Sequence, residues 1–215
     1  MPLIIHIFRV PRYQNIFTGE YETLPFEDLQ IVNKYFNWKK ARANGVACDS
    51  LKDWCGVREE DMPHKGIVNY YGDFYNRKPI YDDYTGELEE TESIFEDLAR
   101  LVKMNQLANW MMKHVTNGVF EKDFWYEVSG EQLKDLCARL KRTRRCLSVV
   151  EDELIVKDKW LAKELMPLMD EVPAFWGTDA YDRIYAEQIA RAYETIREIL
   201  NSTDFEKESI YFVIC

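Results

Sequence analysis

Two short apolar runs lie at opposite ends of the chain, and they constrain the fold more than any other feature. Leu3 to Val10 is mostly apolar, rich in β-formers and bounded by Pro2 and Pro11, which reads as a strand buried on both faces. Ser209 to Cys215 has the same character, and Phe124 to Val128 is a third such segment. Long helical patterns separate the three. The expected architecture is α+β: a mostly helical single domain over 1–215, with a small sheet of about three strands joining the N- and C-terminal segments.

Helical periodicity fills the intervals. Ile94, Leu98, Leu101, Ala108, Met112 and Val115 recur at helical spacing, with Asn117-Gly118 as a stop, so one helix is expected over 92–115. Ser129-Gly130-Glu131-Gln132 has the capping-box pattern ahead of Leu133, Leu136, Cys137 and Leu140, and predicts a helix to about Leu147. Gly177-Thr178-Asp179 opens the longest amphipathic pattern, with Tyr185, Ile189, Ala192, Ile196 and Leu200 on one side. Between Thr23 and Gly72 the pattern predicts short helices at about 26–35, 38–43, 51–54 and 66–70. Residues 76–90 lack clear periodicity, so a flexible acidic insert is expected there.

No apolar run approaches the ~20 residues that span a bilayer, and the opening segment is too short for a signal peptide. Five cysteines, an odd number at irregular spacing, read as free thiols of a reducing, cytoplasmic compartment. A net charge of −10 argues against direct nucleic-acid or membrane binding and favours a basic protein partner. Composition leaves the oligomeric state open.

Charge is uneven along the chain. Asp82, Asp83, Glu87, Glu89, Glu90, Glu92, Glu96 and Asp97 form a tract without a base. It reads either as a solvated loop running into an acid-rich helix N-terminus, or as a surface that imitates phosphate spacing and occupies a basic groove. Arg139, Lys141, Arg142, Arg144 and Arg145 form the opposite cluster. They would either complement a helix C-terminus or bind a phosphate. Asn105, on the apolar stripe of its helix, needs buried partners or orients a ligand.

Catalytic and metal patterns are missing. His6, His64 and His114 are isolated in sequence, His6 in the expected core strand. Cys48 and His64 offer a conceivable thiol–imidazole pair without diagnostic spacing. There is no H-E-x-x-H, G-x-G-x-x-G, P-loop or G-x-S-x-G, so no catalytic residue, metal or cofactor is assigned. Aromatic groups at Tyr70, Tyr71, Phe74 and Tyr75, at Phe124 to Tyr126, and at Phe175 and Trp176 would mostly be core, with an exposed ring in the 173–177 segment as a partner anchor.

Val102 to Trp110 followed by Asn117-Gly118, and Phe175 to Asp182 followed by Tyr185 and Ser202-Thr203-Asp204-Phe205, resemble a family of uncharacterised proteins from bacteriophages and mobile elements of Gram-positive bacteria. That family typically opens with a short hydrophobic strand. It commonly has histidine where this chain has Ala108, so no catalytic role transfers. The resemblance implies a phage-type protein without established activity, and by analogy an inhibitor of a host defence nuclease such as a CRISPR effector, engaged through Asp82 to Asp97. The alternative is an enzyme or binding protein for nucleic acid or a small phosphorylated ligand, using Lys103, Asn105, Arg142, Arg144 and Arg145.

Overall fold

The computed structural model describes residues 2–82, 85–119, 121, 124–170 and 177–215. The chain begins with β1 (Ile4–Pro11), a two-stranded ribbon of β2 (Tyr13–Gln14) and β3 (Tyr21–Glu22), and α1 (Phe26–Ala43). There follow α2 (Leu51–Cys55), α3 (Lys65–Gly72), β4 (Asn76–Tyr81), β5 (Leu88–Ser93), β6 (Glu96–Val102) and α4 (Asn105–His114). The remainder comprises β7 (Trp125–Val128), α5 (Gly130–Arg144), β8 (Leu147–Val150), β9 (Glu153–Val156), α6 (Lys159–Leu165), α7 (Arg183–Ser202) and β10 (Glu208–Ile214).

The expected union of the terminal segments is present. One sheet has the order β6-β1-β10-β7, four strands where about three were expected. Ile4 and Cys215 exchange both backbone hydrogen bonds, at 3.2 and 2.9 Å, as antiparallel neighbours do. β10 also runs antiparallel to β7, with Phe212 opposite Tyr126. The architecture is mixed α+β, and no helix among the described residues is long and apolar enough to cross a membrane.

The extra strand, β6, comes from the stretch read as the front of a 92–115 helix. Asp97, Ala99 and Leu101 are buried and alternate with less buried neighbours. This period of two competes with the 94/98/101 spacing and prevails because β1 supplies a partner. Lys103, at φ +60, turns the chain, and only then does α4 begin. Residues 76–90, read as a flexible insert, instead contain β4 and the start of β5, paired from Asn76↔Ser93 to Tyr81↔Leu88. The two short helices read at 26–35 and 38–43 are a single α1, since nothing between them breaks a helix.

The capping box is present: Ser129 Oγ accepts from Gln132 N at 3.2 Å, and Gln132 Oε1 accepts from Ser129 N at 2.9 Å. The helix it opens stops at Arg144, earlier than expected, and hands the chain to the β8–β9 hairpin. α7 begins at Arg183 instead of near Gly177, because the Asp182 carboxylate accepts from Tyr185 N at 3.0 Å and so sets the first turn there.

Two compact units result. The first takes the chain up to Phe8, Leu98–Phe205 and Ile210–Cys215; the second takes Arg9–Asp97 and Glu206–Ser209. Each is assembled from separate stretches of sequence, so no composition shift marks their limits. In the first, Leu133, Leu136 and Leu140 of α5 and Ile189, Ala192 and Ile196 of α7 pack with Ile5, Ile7 and Phe212 of the sheet. Tyr185 is fully buried there, and its hydroxyl donates to Met166 O at 2.8 Å. Burial pushes its pKa well above the usual phenol range. In the second, Leu29 and Val32 of α1 are buried, as are Tyr71 and Ile94. The Asn33 side chain accepts from Ile94 N at 3.0 Å.

Candidate functional site

The acidic tract lies on a sheet, not at a helix start. Successive strand residues face opposite sides, so Glu90 and Glu92 of β5 share one face of the hairpin and Glu89 takes the other. Asp82 organises the turn, its Oδ1 accepting from Thr85 N at 2.6 Å and Thr85 Oγ1 at 2.9 Å. Glu92 pairs with Lys40 at 2.5 Å, and Glu96 with Arg9 at 2.9 Å. Asp97 is buried and accepts from Tyr81 N at 3.3 Å. Asp83 lies outside the described residues. Glu87, Glu89 and Glu90 remain exposed; Arg77 lies 3.8 Å from Glu90 with both side chains in solvent, and Lys78 stands opposite Thr91 on the paired strand.

The same unit carries an exposed apolar tip. Between β2 and β3, Ile16 and Phe17 are 76% and 91% exposed. Their loop is fixed by Asn15, whose Oδ1 accepts from Phe17 N at 2.9 Å and whose Nδ2 donates to Glu22 at 2.8 Å. Gly19, at φ +75, closes it through a bond to Asn15 O at 2.7 Å. A rigid turn thus presents two large side chains that nothing covers among the described residues, the arrangement of an interface anchor. Neither residue stood out in sequence, because single apolar residues in a turn carry no periodicity.

The basic cluster of α5 splits into two roles. Arg139 pairs with Asp135 at 2.7 Å. Arg144 pairs with Glu194 at 2.8 Å and lies over the Tyr193 ring, 4.5 Å from its centroid, which gives it a packing role. Arg142 and Arg145 are exposed and have no carboxylate partner among the described residues. The backbone that follows brings further cations to them: Cys146 O accepts from Lys157 N at 2.7 Å and Asp158 N at 3.2 Å. α6 then presents Lys159, Trp160 and Lys163, with Trp160 75% exposed opposite the buried Ala162 and Leu165. The signal for Trp160 was available in the sequence, since it falls off the apolar face that Leu161, Ala162 and Leu165 define.

Lys103 and Asn105 belong to a different setting. Asn105, Gln106 and Asn109 are buried on α4. Asn105 Nδ2 donates to Thr178 O at 2.7 Å, Gln106 Nε2 to Gln188 Oε1 at 3.0 Å, and Asn109 Nδ2 to Pro167 O and Leu168 O, both at 3.0 Å. Gln188 Nε2 in turn donates to Lys103 O at 2.9 Å. A β-carbon at Gly177 would overlap that same carbonyl, so glycine permits the close approach. These amides tie Pro167, Leu168 and Thr178 to α4, and α4 to α7. No hydrogen bond or ion pair among the described residues links Lys103 or Asn105 to Arg142 or Arg145.

Comparison with family models, with curated proteins and with solved structures finds no match for the chain. The geometry therefore carries the functional argument alone.

The conceivable Cys48–His64 pair is not assembled. His64 Nδ1 accepts from Gly66 N at 3.1 Å as the cap of α3, and Cys48 Sγ contacts Ser50 O at 3.5 Å. No group of three or more metal-ligating side chains converges among the described residues. His114 stacks on Trp110 at 5.5 Å; burial, then the Arg139 charge, lowers its pKa. Tyr70 and Tyr71 donate their hydroxyls to Arg12 O and Pro11 O, each at 2.8 Å. Phe175 and Trp176 lie outside the described residues.

Proposed function

We propose that the chain is a non-enzymatic interaction protein that docks on a cationic protein surface through the β4–β5 hairpin. The reading extends to a phage-type inhibitor of a bacterial defence nuclease, whose nucleic-acid groove is such a surface. The observation that carries it is the exposure of Glu87, Glu89 and Glu90, with only a long, solvent-exposed contact from Arg77 to Glu90 at 3.8 Å among the described ion pairs. Solvent-exposed carboxylates that are at most loosely paired retain their field for a partner, where they raise the association rate and select against acidic competitors. The fixed Ile16–Phe17 tip supports the same reading, because charge steers encounter while desolvated apolar anchors supply most of the affinity.

The test is association with a purified, guide-loaded CRISPR nuclease, followed by biolayer interferometry at two salt concentrations. The expected result is salt-sensitive binding that slows in association when Glu87, Glu89 and Glu90 are changed to Lys, and that dissociates faster in Phe17→Ala. Binding unaffected by the charge reversal would remove the electrostatic mechanism.

A further inference from the structure

We propose that the surface formed by the last turn of α5 and the first turns of α6 binds single-stranded nucleic acid, with Trp160 stacking on an unpaired base and the surrounding cations contacting phosphates. Three observations converge. Trp160 leaves three quarters of its surface in water, although burying such a ring is among the larger gains open to a folding chain. Arg142, Arg145, Lys157, Lys159 and Lys163 are all exposed, and none pairs with a carboxylate among the described residues. The double acceptance by Cys146 O from Lys157 N and Asp158 N holds the end of α5 beside the start of α6, which brings the exposed cations of the one next to the cationic segment that carries Trp160.

The chemistry selects among anionic partners. A duplex hides its base faces in the stack, whereas a single strand offers them to an aromatic platform with its phosphates beside it. A bilayer would require an apolar helix face, and α6 spends its own on Ala162 and Leu165 in the core, which leaves the ring alone to insert. Net charge argues against nucleic acid at long range, but acids beyond about 8–10 Å are screened at moderate salt. The local field near Trp160 is therefore set by its neighbours. Asp158, which caps α6 by accepting from Leu161 N at 3.0 Å, and Glu164, one helical turn after Trp160, oppose binding and explain why the expected affinity is modest.

The experiment is a fluorescence-anisotropy titration of end-labelled dT15 with the full chain at 50 and 200 mM NaCl. Saturable binding is expected at the lower salt. It should weaken roughly thirtyfold at the higher, as three to four phosphate contacts imply at about −0.7 per phosphate in the logarithmic salt slope. Trp160→Ala should weaken binding about tenfold, and Trp160→Phe should recover most of it. Arg142→Ser with Arg145→Ser should flatten the salt slope by about two phosphates' worth, and Glu164→Gln should tighten binding. No saturable binding at 50 mM, or equal binding by the Trp160→Ala chain, overturns the proposal. Tighter binding to a blunt duplex, or to phosphatidylserine-containing vesicles, than to dT15 overturns it as well, and would assign the surface to that ligand.

Discussion

The acids between Asp82 and Asp97 are close neighbours in sequence, yet folding disperses them. One takes a turn, two enter close ion pairs and a third a looser one with Arg77, one is buried, and Glu89 and Glu90 point to opposite faces of a hairpin. The cations at the α5–α6 junction behave in the opposite way. Arg142 and Arg145 are separated from Lys157 and Lys159 by a whole hairpin in sequence, and one carbonyl brings them together. Charge density along a chain and charge density on its surface are thus different quantities, and strand alternation and pairing decide how one becomes the other.

The two regions also differ in what holds them, and substitution separates them. Leu140 is fully buried beneath the last turn of α5. Leu140→Ala should destabilise the chain by about 2–5 kcal/mol in urea denaturation, through lost transfer energy and the cavity left behind. A loss below about 1 kcal/mol would mean that the cationic surface rests on a looser scaffold than its packing indicates.

Titration probes the neutralised side of the acidic hairpin. Tyr75 donates to Asn37 Oδ1 at 2.5 Å, and burial followed by the Glu92 charge pushes its pKa from 10.0 up to about 12. The folded state therefore keeps a proton that the unfolded chain releases. The stability from this group is complete below pH 10.0 and is lost as pH rises toward about 12. Because the side chain is partly in solvent, the loss should stay near 1 kcal/mol or less, and Tyr75→Phe should remove that share of the alkaline slope. Glu92→Gln should lower the phenol pKa in ultraviolet titration. An unchanged value would show that burial alone sets it.

The β8–β9 turn offers a gain. Glu151 and Asp152 adopt φ of 51° and 66° between Val150 and Glu153, which pair with each other. This two-residue turn favours Asn-Gly. Glu151→Asn with Asp152→Gly should stabilise by about 1 kcal/mol, readable as a higher melting temperature. The smallest effect belongs to the exposed acids: Glu89→Lys should move stability by no more than about 0.5 kcal/mol. A larger change would place Glu89 in an interaction that the hairpin does not display.

The terminal strands, the capping box and the face of α7 were legible because each rests on local pattern: continuous apolar β-formers, a four-residue motif, a sustained 3.6 period. β5 was not, since Leu88-Glu89-Glu90-Thr91-Glu92-Ser93 has no apolar alternation and exists through backbone pairing with β4. β6 was lost to a coincidence of spacings that only its partner strand resolves. The candidate surfaces were half legible. Arg142 and Arg145 were visible as a run, but their association with Lys157 and Trp160 depends on a hairpin that sequence pattern does not reveal. Asn105 was correctly singled out as a buried amide in need of partners, and Thr178 O supplies one.

β10 lies between β1 and β7 in the sheet, which imposes an order of events on synthesis. The ribosome delivers β1 before residues 208–214, which follow both strands they join, so β1 waits through the making of about two hundred residues with the backbone groups of one edge unpaired. Local helices form meanwhile, and the non-local pairing that completes the sheet comes last. A nascent chain of this kind is a client for whatever shields open strand edges in the cell, and a stalled or shortened product would expose that edge to its own copies.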